Sequence, residues 1–93
     1  MKHLKKLEGD FVKVNKNKIT FTIQEGTVPK SGINGMQASD ILNSLRELFV
    51  LLNEEFPCEE NLRTIGHLDR ARHWQTLRTI DRTNRKVEGK ELK

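Results

Sequence analysis

The sequence predicts an α+β fold: a short amino-terminal antiparallel β-hairpin or sheet, then an antiparallel two-helix hairpin, assembled as a homo-oligomer. Three observations carry this. In "ITFTIQ" (19–24), Ile19, Phe21 and Ile23 alternate with Thr20 and Thr22, the period-2 pattern of a half-buried strand. From residue 42 the apolar residues recur at spacings of three and four, the period of an amphipathic helix. Pro57 then interrupts that pattern before a second helical stretch, and a short connection makes consecutive helices antiparallel neighbours.

The strand zone runs from about residue 11 to 25. "FVKV" is a second, shorter strand candidate with Val12 and Val14 in step, and the polar "NKNK" between the two reads as a hairpin turn. A lone hairpin is marginally stable, so it must pack on helices or on another copy of the chain. The next zone, "EGTVPKSGINGMQ", reads as loop, punctuated by Gly26, Pro29, Gly32 and the pair Asn34-Gly35. Asn-Gly readily takes positive φ, which predicts a tight turn there. No phosphate-loop pattern closed by Gly-Lys-Ser or Gly-Lys-Thr is present, so on spacing the segment reads as a structural turn.

The first long helix is expected to start at Ser39 as its cap, with Asp40 at the positive end of the dipole. Leu42, Leu45, Phe49, Leu52 and Phe56 form its seam, widened by Ile41 and Leu48. Pro57 ends it. Glu59 and Glu60 then suit the first turn of a second helix, and Gly89 suits its stop. The boundaries are therefore strands and loops over about 11–37 and a helical hairpin over about 39–88, within one domain, 1–93.

The apolar residues of the second helix are Leu62, Ile65, Leu68, Ala71, Trp74, Leu77 and Ile80, each three after the last. Each step slips about 60° around the helix, so the set travels around the cylinder rather than forming one stripe. This pattern predicts contact with several neighbours, some of them on another subunit. With hydrophobic residues at 34% and 93 residues in all, a thin core favours such assembly.

The charge balance is +4, with 17 Lys and Arg against 13 Asp and Glu, which favours an anionic partner without choosing one. Arg78, Arg82 and Arg85 fall within an arc of about 60° on the second helix, on successive turns. Two readings of this arc stand: a solvated face of a terminal helix, or a guanidinium ladder gripping phosphate through rigid bidentate forks. Cys58, alone, excludes an intrachain disulfide and fits a reducing compartment. It lacks a partner pattern for metal or catalysis, so a packing role is expected. No cofactor or metal is expected. The basic start "MKHLKKLEGD" has no apolar run behind it and does not read as a signal peptide, and no stretch approaches transmembrane length. A cytosolic protein is expected.

Four blocks, "EGTVPKSGINGMQ", "FPCEEN", "TIGHLDRA" followed by Trp74, and "RTIDRTNRKVEG", closely resemble the first phage Thoeris anti-defence family. They occur in order and at the right intervals, from about residue 19 to 89. That family shares a helical-hairpin domain with an anti-CBASS sponge family. The resemblance implies a sponge that sequesters cyclic ADP-ribose isomers, of the glycocyclic ADP-ribose type, made by bacterial Thoeris immunity in the infected host's cytoplasm. The signal is held without being degraded. Some members are dimers with nucleotide pockets at the subunit contact. Others are hexamers that also hold cyclic dinucleotides or trinucleotides of CBASS defence at separate sites. Carried over by motif, the ligand contacts fall on Asn61, Arg78 and Arg82. Arg85 joins them through the shared arc. An aromatic stacking on adenine is implied near the end of the first helix, with Phe49 and Phe56 as candidates that suit the core equally well.

Two rival readings are weighed against this. An enzyme would need a base: Asp69 and His73 are four apart on one face, an arrangement that suits a base and its orienter, but no serine lies nearby. A small basic nucleic-acid-binding phage protein fits the charge and the tail "NRKVEGKELK". However, Asp69, Asp81, Glu88 and Glu91 interrupt the basic stripe, and no helix-turn-helix, zinc finger or RNP aromatic set is present.

Overall fold

A computed structural model describes residues 4–84. A 3₁₀ turn at Leu4–Leu7 precedes strands β1 (Val12–Asn15) and β2 (Lys18–Phe21), a single helical turn α1 (Val28–Ser31), and the long helices α2 (Ala38–Glu55) and α3 (Glu59–Asn84). The two strands pair antiparallel, with Val12 opposite Phe21 and Val14 opposite Ile19. Lys16, in the two-residue turn, takes the positive φ of 57° that closes a hairpin this tight. The α+β order and the helical hairpin agree with the sequence reading.

The hairpin is tied down at its start. Lys5 Nζ donates to the Val14 carbonyl at 3.0 Å, and the Val14 N–H donates to Glu8 Oε1 at 3.2 Å. That backbone bond, aided by the Lys5 charge, holds the Glu8 carboxyl below its ordinary range. The 3₁₀ turn, unforeseen in the sequence, thereby brings Leu4 against Val12 and Val14 as part of the buried core, with Met36 and Leu51. The shorter strand candidate is the more buried one. Ile23, in step with the apolar face of β2, lies beyond that strand and is 56% exposed.

The connection from β2 to α2 departs from the expected plain loop. Pro29 sits at the start of α1, where its fixed φ suits a first helical turn and its missing N–H is not needed. Positive φ falls on Gly26 and Gly32, not on Asn34-Gly35. Gly35 is required for another reason: a Cβ there would lie 2.4 Å from the Ile23 carbonyl carbon. The chain crosses itself at this point, with Gln24 N donating to Met36 O and Met36 N to Thr22 O.

The cap of helix α2 lies two residues earlier than expected. Gln37 is its cap residue, and Asp40 Oδ2 accepts the Gln37 N–H at 2.9 Å. Ser39 is inside the helix. The helix stops at Glu55, leaving Phe56, Pro57 and Cys58 as the connection to α3. Glu59 and Glu60 occupy the first turn of α3 as predicted. The stop expected at Gly89 lies outside the described residues. Cys58 is exposed rather than packed. It stands at the cap position of α3, where its Sγ accepts the Asn61 N–H at 3.4 Å and its own N–H donates to Asn53 Oδ1. A sulfur acceptor three residues before Asn61 does here what a Ser oxygen does in most helices.

The travelling apolar pattern of α3 splits as its geometry demands. Ile65, Leu68 and Ala71 are half-buried, whereas Leu62, Trp74, Leu77 and Ile80 are exposed. The accessible surface of 7200 Å² exceeds the about 5500 Å² of a compact protein of this size. Among the described residues no side chain is fully enclosed. The shortest extent is 13 Å against 44 Å for the longest, so the chain is flat.

Candidate functional site

The two long helices are pinned side by side by one acidic residue. Asp69 Oδ1 accepts from Arg46 Nε at 2.6 Å and from Arg72 Nη1 at 3.2 Å. The Arg46 hydrogen bond holds the Asp69 carboxyl below its ordinary range, and Asp69 in turn raises Arg46. With Asp69 engaged in this way, the sequence-predicted base and orienter pair does not form. His73 instead meets Trp74 edge to face, with ring centroids 6.4 Å apart. Ser39, Asn43, Asp69, Arg72 and Thr76 line a shallow open groove of about 510 Å³ on this face. The Asp69–Arg72 pair was open to sequence reasoning through its i,i+3 spacing. The Arg46 partner was not, because it depends on how the two helices align.

The residues carried over by motif fall into two groups. At the hairpin end, Asn61 Nδ2 donates to the Phe56 carbonyl at 3.2 Å, which joins the start of α3 to the end of α2. Phe56 is 69% exposed. Its place on the seam suggested core, but α2 has already ended at Glu55, so the ring falls outside the helix interface. Phe49 remains on α2 and is half-buried. At the other end of α3, Arg78 is exposed whereas Arg82 is 9% exposed and buried. A shared arc thus places the two guanidinium groups in different environments. Arg85 lies outside the described residues.

Asn61 and Arg78 are 17 residues apart on one continuous helix, or about 26 Å at a rise of 1.5 Å per residue. One protomer does not bring them together. Around Arg78, α3 presents Trp74, Leu77 and Ile80 to solvent, with Trp74 69% exposed. Large apolar side chains clustered on an exposed helix face mark an interaction surface. Nearby, Arg63 is held by Glu59 at 2.8 Å, so the basic surface of α3 is partly neutralised.

Among the described residues, no helix is long and apolar enough to cross a membrane, and no cluster of His, Cys, Asp and Glu fits a metal ion. No family model matches the sequence. Over 71 residues, 75% of its length, the chain is 37% identical to the protein named Thoeris anti-defense 1 of Bacillus phage SBSphiJ7. It spans about half the length of that relative, since the match covers 50% of it. The chain is thus a homologue of Thoeris anti-defense 1.

Proposed function

We propose that this chain counters Thoeris immunity as a sponge, capturing cyclic ADP-ribose isomers in a pocket formed between two copies of itself. The observation that carries this reading is the separation of Asn61 from Arg78 along α3. A small cyclic diphosphate cannot bridge about 26 Å. Two α3 helices packed antiparallel about a two-fold axis bring Asn61 of one protomer beside Arg78 and Arg82 of the other. Such an isologous contact uses the same patch twice, and the exposed Trp74, Leu77 and Ile80 supply its apolar part. The flat shape and excess surface of the chain favour the same step.

The chemistry is consistent with capture. Arginine forks suit the pyrophosphate. The Asn61 amide both donates and accepts, as a base or ribose requires. The exposed Phe56 ring, beside Asn61, is the better placed of the two aromatics for stacking on adenine. Sequestering a scarce signal needs nanomolar affinity, about 12 kcal/mol. Hydrogen bonds to charged groups contribute about 1.5 to 3 kcal/mol each and stacking about 1 to 3, so a preformed pocket with two arginines, an amide and a ring approaches that total. The ligand is released unchanged. Cyclic dinucleotides or trinucleotides of CBASS, where bound, occupy a separate site, and a hexamer built from such dimers extends the same design. The place of action is the cytoplasm of the infected cell.

The test is to mix the protein with glycocyclic ADP-ribose, remove unbound nucleotide, heat the complex and identify what is released. Intact nucleotide in near-stoichiometric yield is expected. A cleaved product, or none retained, rejects the sponge.

A further inference from the structure

The loop between β2 and α2 contains a chemically labile bond and a device that shields it. In an Asn-Gly pair, the glycine leaves its backbone nitrogen unshielded from the Asn side-chain carbonyl carbon, and such asparagines are among the labile groups of proteins. Here the glycine of the pair is fixed by the fold. A Cβ at position 35 would strike the Ile23 backbone, at 2.4 Å from its carbonyl carbon and 2.5 Å from its oxygen. The fold therefore requires Gly35 directly after Asn34.

Both reacting groups are held by hydrogen bonds. Gln24 Oε1 accepts from Asn34 N at 3.0 Å and from Gly35 N at 3.2 Å. Gln24 Nε2 donates to the Gly32 carbonyl at 2.8 Å, which fixes the bracket across the loop. The Asn34 side chain faces the other way. Its Oδ1 accepts the Glu25 N–H at 2.8 Å, and its Nδ2 donates to the Glu25 carbonyl at 2.9 Å. Gly35 itself is buried. The nucleophilic nitrogen and the electrophilic carbon are thus tied to different partners, and the nitrogen is screened from base.

We propose that Asn34 is a hydrolytic modification site which the Gln24 bracket keeps closed, and that opening the bracket commits the chain to an irreversible change. In the open loop, Gly35 N bonds to Asn34 Cγ, the Cγ–Nδ2 bond breaks, and ammonia leaves with the proton from Gly35 N. One water then opens the resulting succinimide to aspartate or isoaspartate. No oxidant or other reactant is needed. The product does not re-close. A carboxylate at position 34 has no N–H for the Glu25 carbonyl, and two acceptors then face each other. Isoaspartate adds a backbone carbon beside Met36, whose bonds to Thr22 and Gln24 join the hairpin to α2. Met36 is core, so the modified chain loses the junction between its two halves.

The test follows the mass change of amide to acid at Asn34, by peptide mapping after incubation at mildly alkaline pH. The folded chain should convert at least about tenfold more slowly than the same chain in urea, as expected for a site reached only by local opening. Gln24→Met, which removes the acceptor, should approach the rate in urea. Gln24→Glu, which keeps an acceptor oxygen but loses the donor to the Gly32 carbonyl, should convert faster than folded wild type and no faster than Gln24→Met. Folded wild type converting as fast as in urea, or Gln24→Met as slow as wild type, overturns the proposal. Should Gln24→Met unfold, wild type alone decides: below the unfolding midpoint, conversion should track hydrogen exchange of the Gly35 amide, and conversion indifferent to that exchange also overturns it.

Discussion

Arg46 on α2 and Asp69 on α3 meet at 2.6 Å across the helix interface, with Arg72 closing on the same carboxylate oxygen from α3 itself. Asp69 is held below its ordinary pKa by these partners, first by the Arg46 hydrogen bond. A carboxylate with a depressed folded-state pKa contributes stability above its unfolded pKa and loses it as pH falls through the folded one. Glu8 has the same sign, set first by the Val14 N–H. Melting temperature should therefore hold from neutral pH to about pH 4 and fall below it. Asp69→Asn should melt lower at neutral pH and show a shallower acid limb in thermal scans across this range. An acid limb identical to wild type would remove Asp69 from the account.

Two glycines make opposite predictions. Gly35→Ala forces a methyl into the Ile23 backbone, and overpacking of this kind lowers stability by about 1–3 kcal/mol. Gly66, within α3, has nothing within 4 Å of its would-be Cβ. Gly66→Ala should raise stability by about 0.5–1 kcal/mol, the helix-interior difference between these residues. Urea denaturation of the two variants beside wild type reads both signs.

Arg78 and Arg82 should separate binding from folding. Arg78 is exposed, so Arg78→Ala should leave the melting temperature unchanged and weaken capture of cyclic ADP-ribose isomers by about 10- to 100-fold, the loss of one charged hydrogen-bonding group. Arg82 is buried, and Arg82→Ala should lower both affinity and melting temperature. Calorimetry with unaltered affinity for Arg78→Ala would strip that residue of its role.

Self-association should depend on the exposed α3 face. Ile80→Lys or Trp74→Glu places charge in the apolar patch and should convert the oligomer to monomer in light scattering, with loss of capture. A wild-type chain that is monomeric at micromolar concentration yet captures ligand would contradict a pocket between protomers.

Periodicity alone determined much of this protein. Alternation at Ile19 and Phe21, the three-and-four spacing from Leu42, and Pro57 gave the strands, the helices and their turn, because these patterns are local and follow from the geometry of one element. The slipping three-residue spacing of α3 likewise foretold that Trp74 and Ile80 would not share a face with Leu68. Tertiary structure decided what depends on distant parts of the chain meeting. The Arg46–Asp69 alignment, the need for Gly35 against Ile23, the exposure of Phe56 and the burial of Arg82 all arise from how elements pack. The distance of Arg78 and Arg82 from Asn61 is local instead, set by a rise of about 1.5 Å per residue along one helix; the different exposure of these two arginines, which share an arc, is what packing decided.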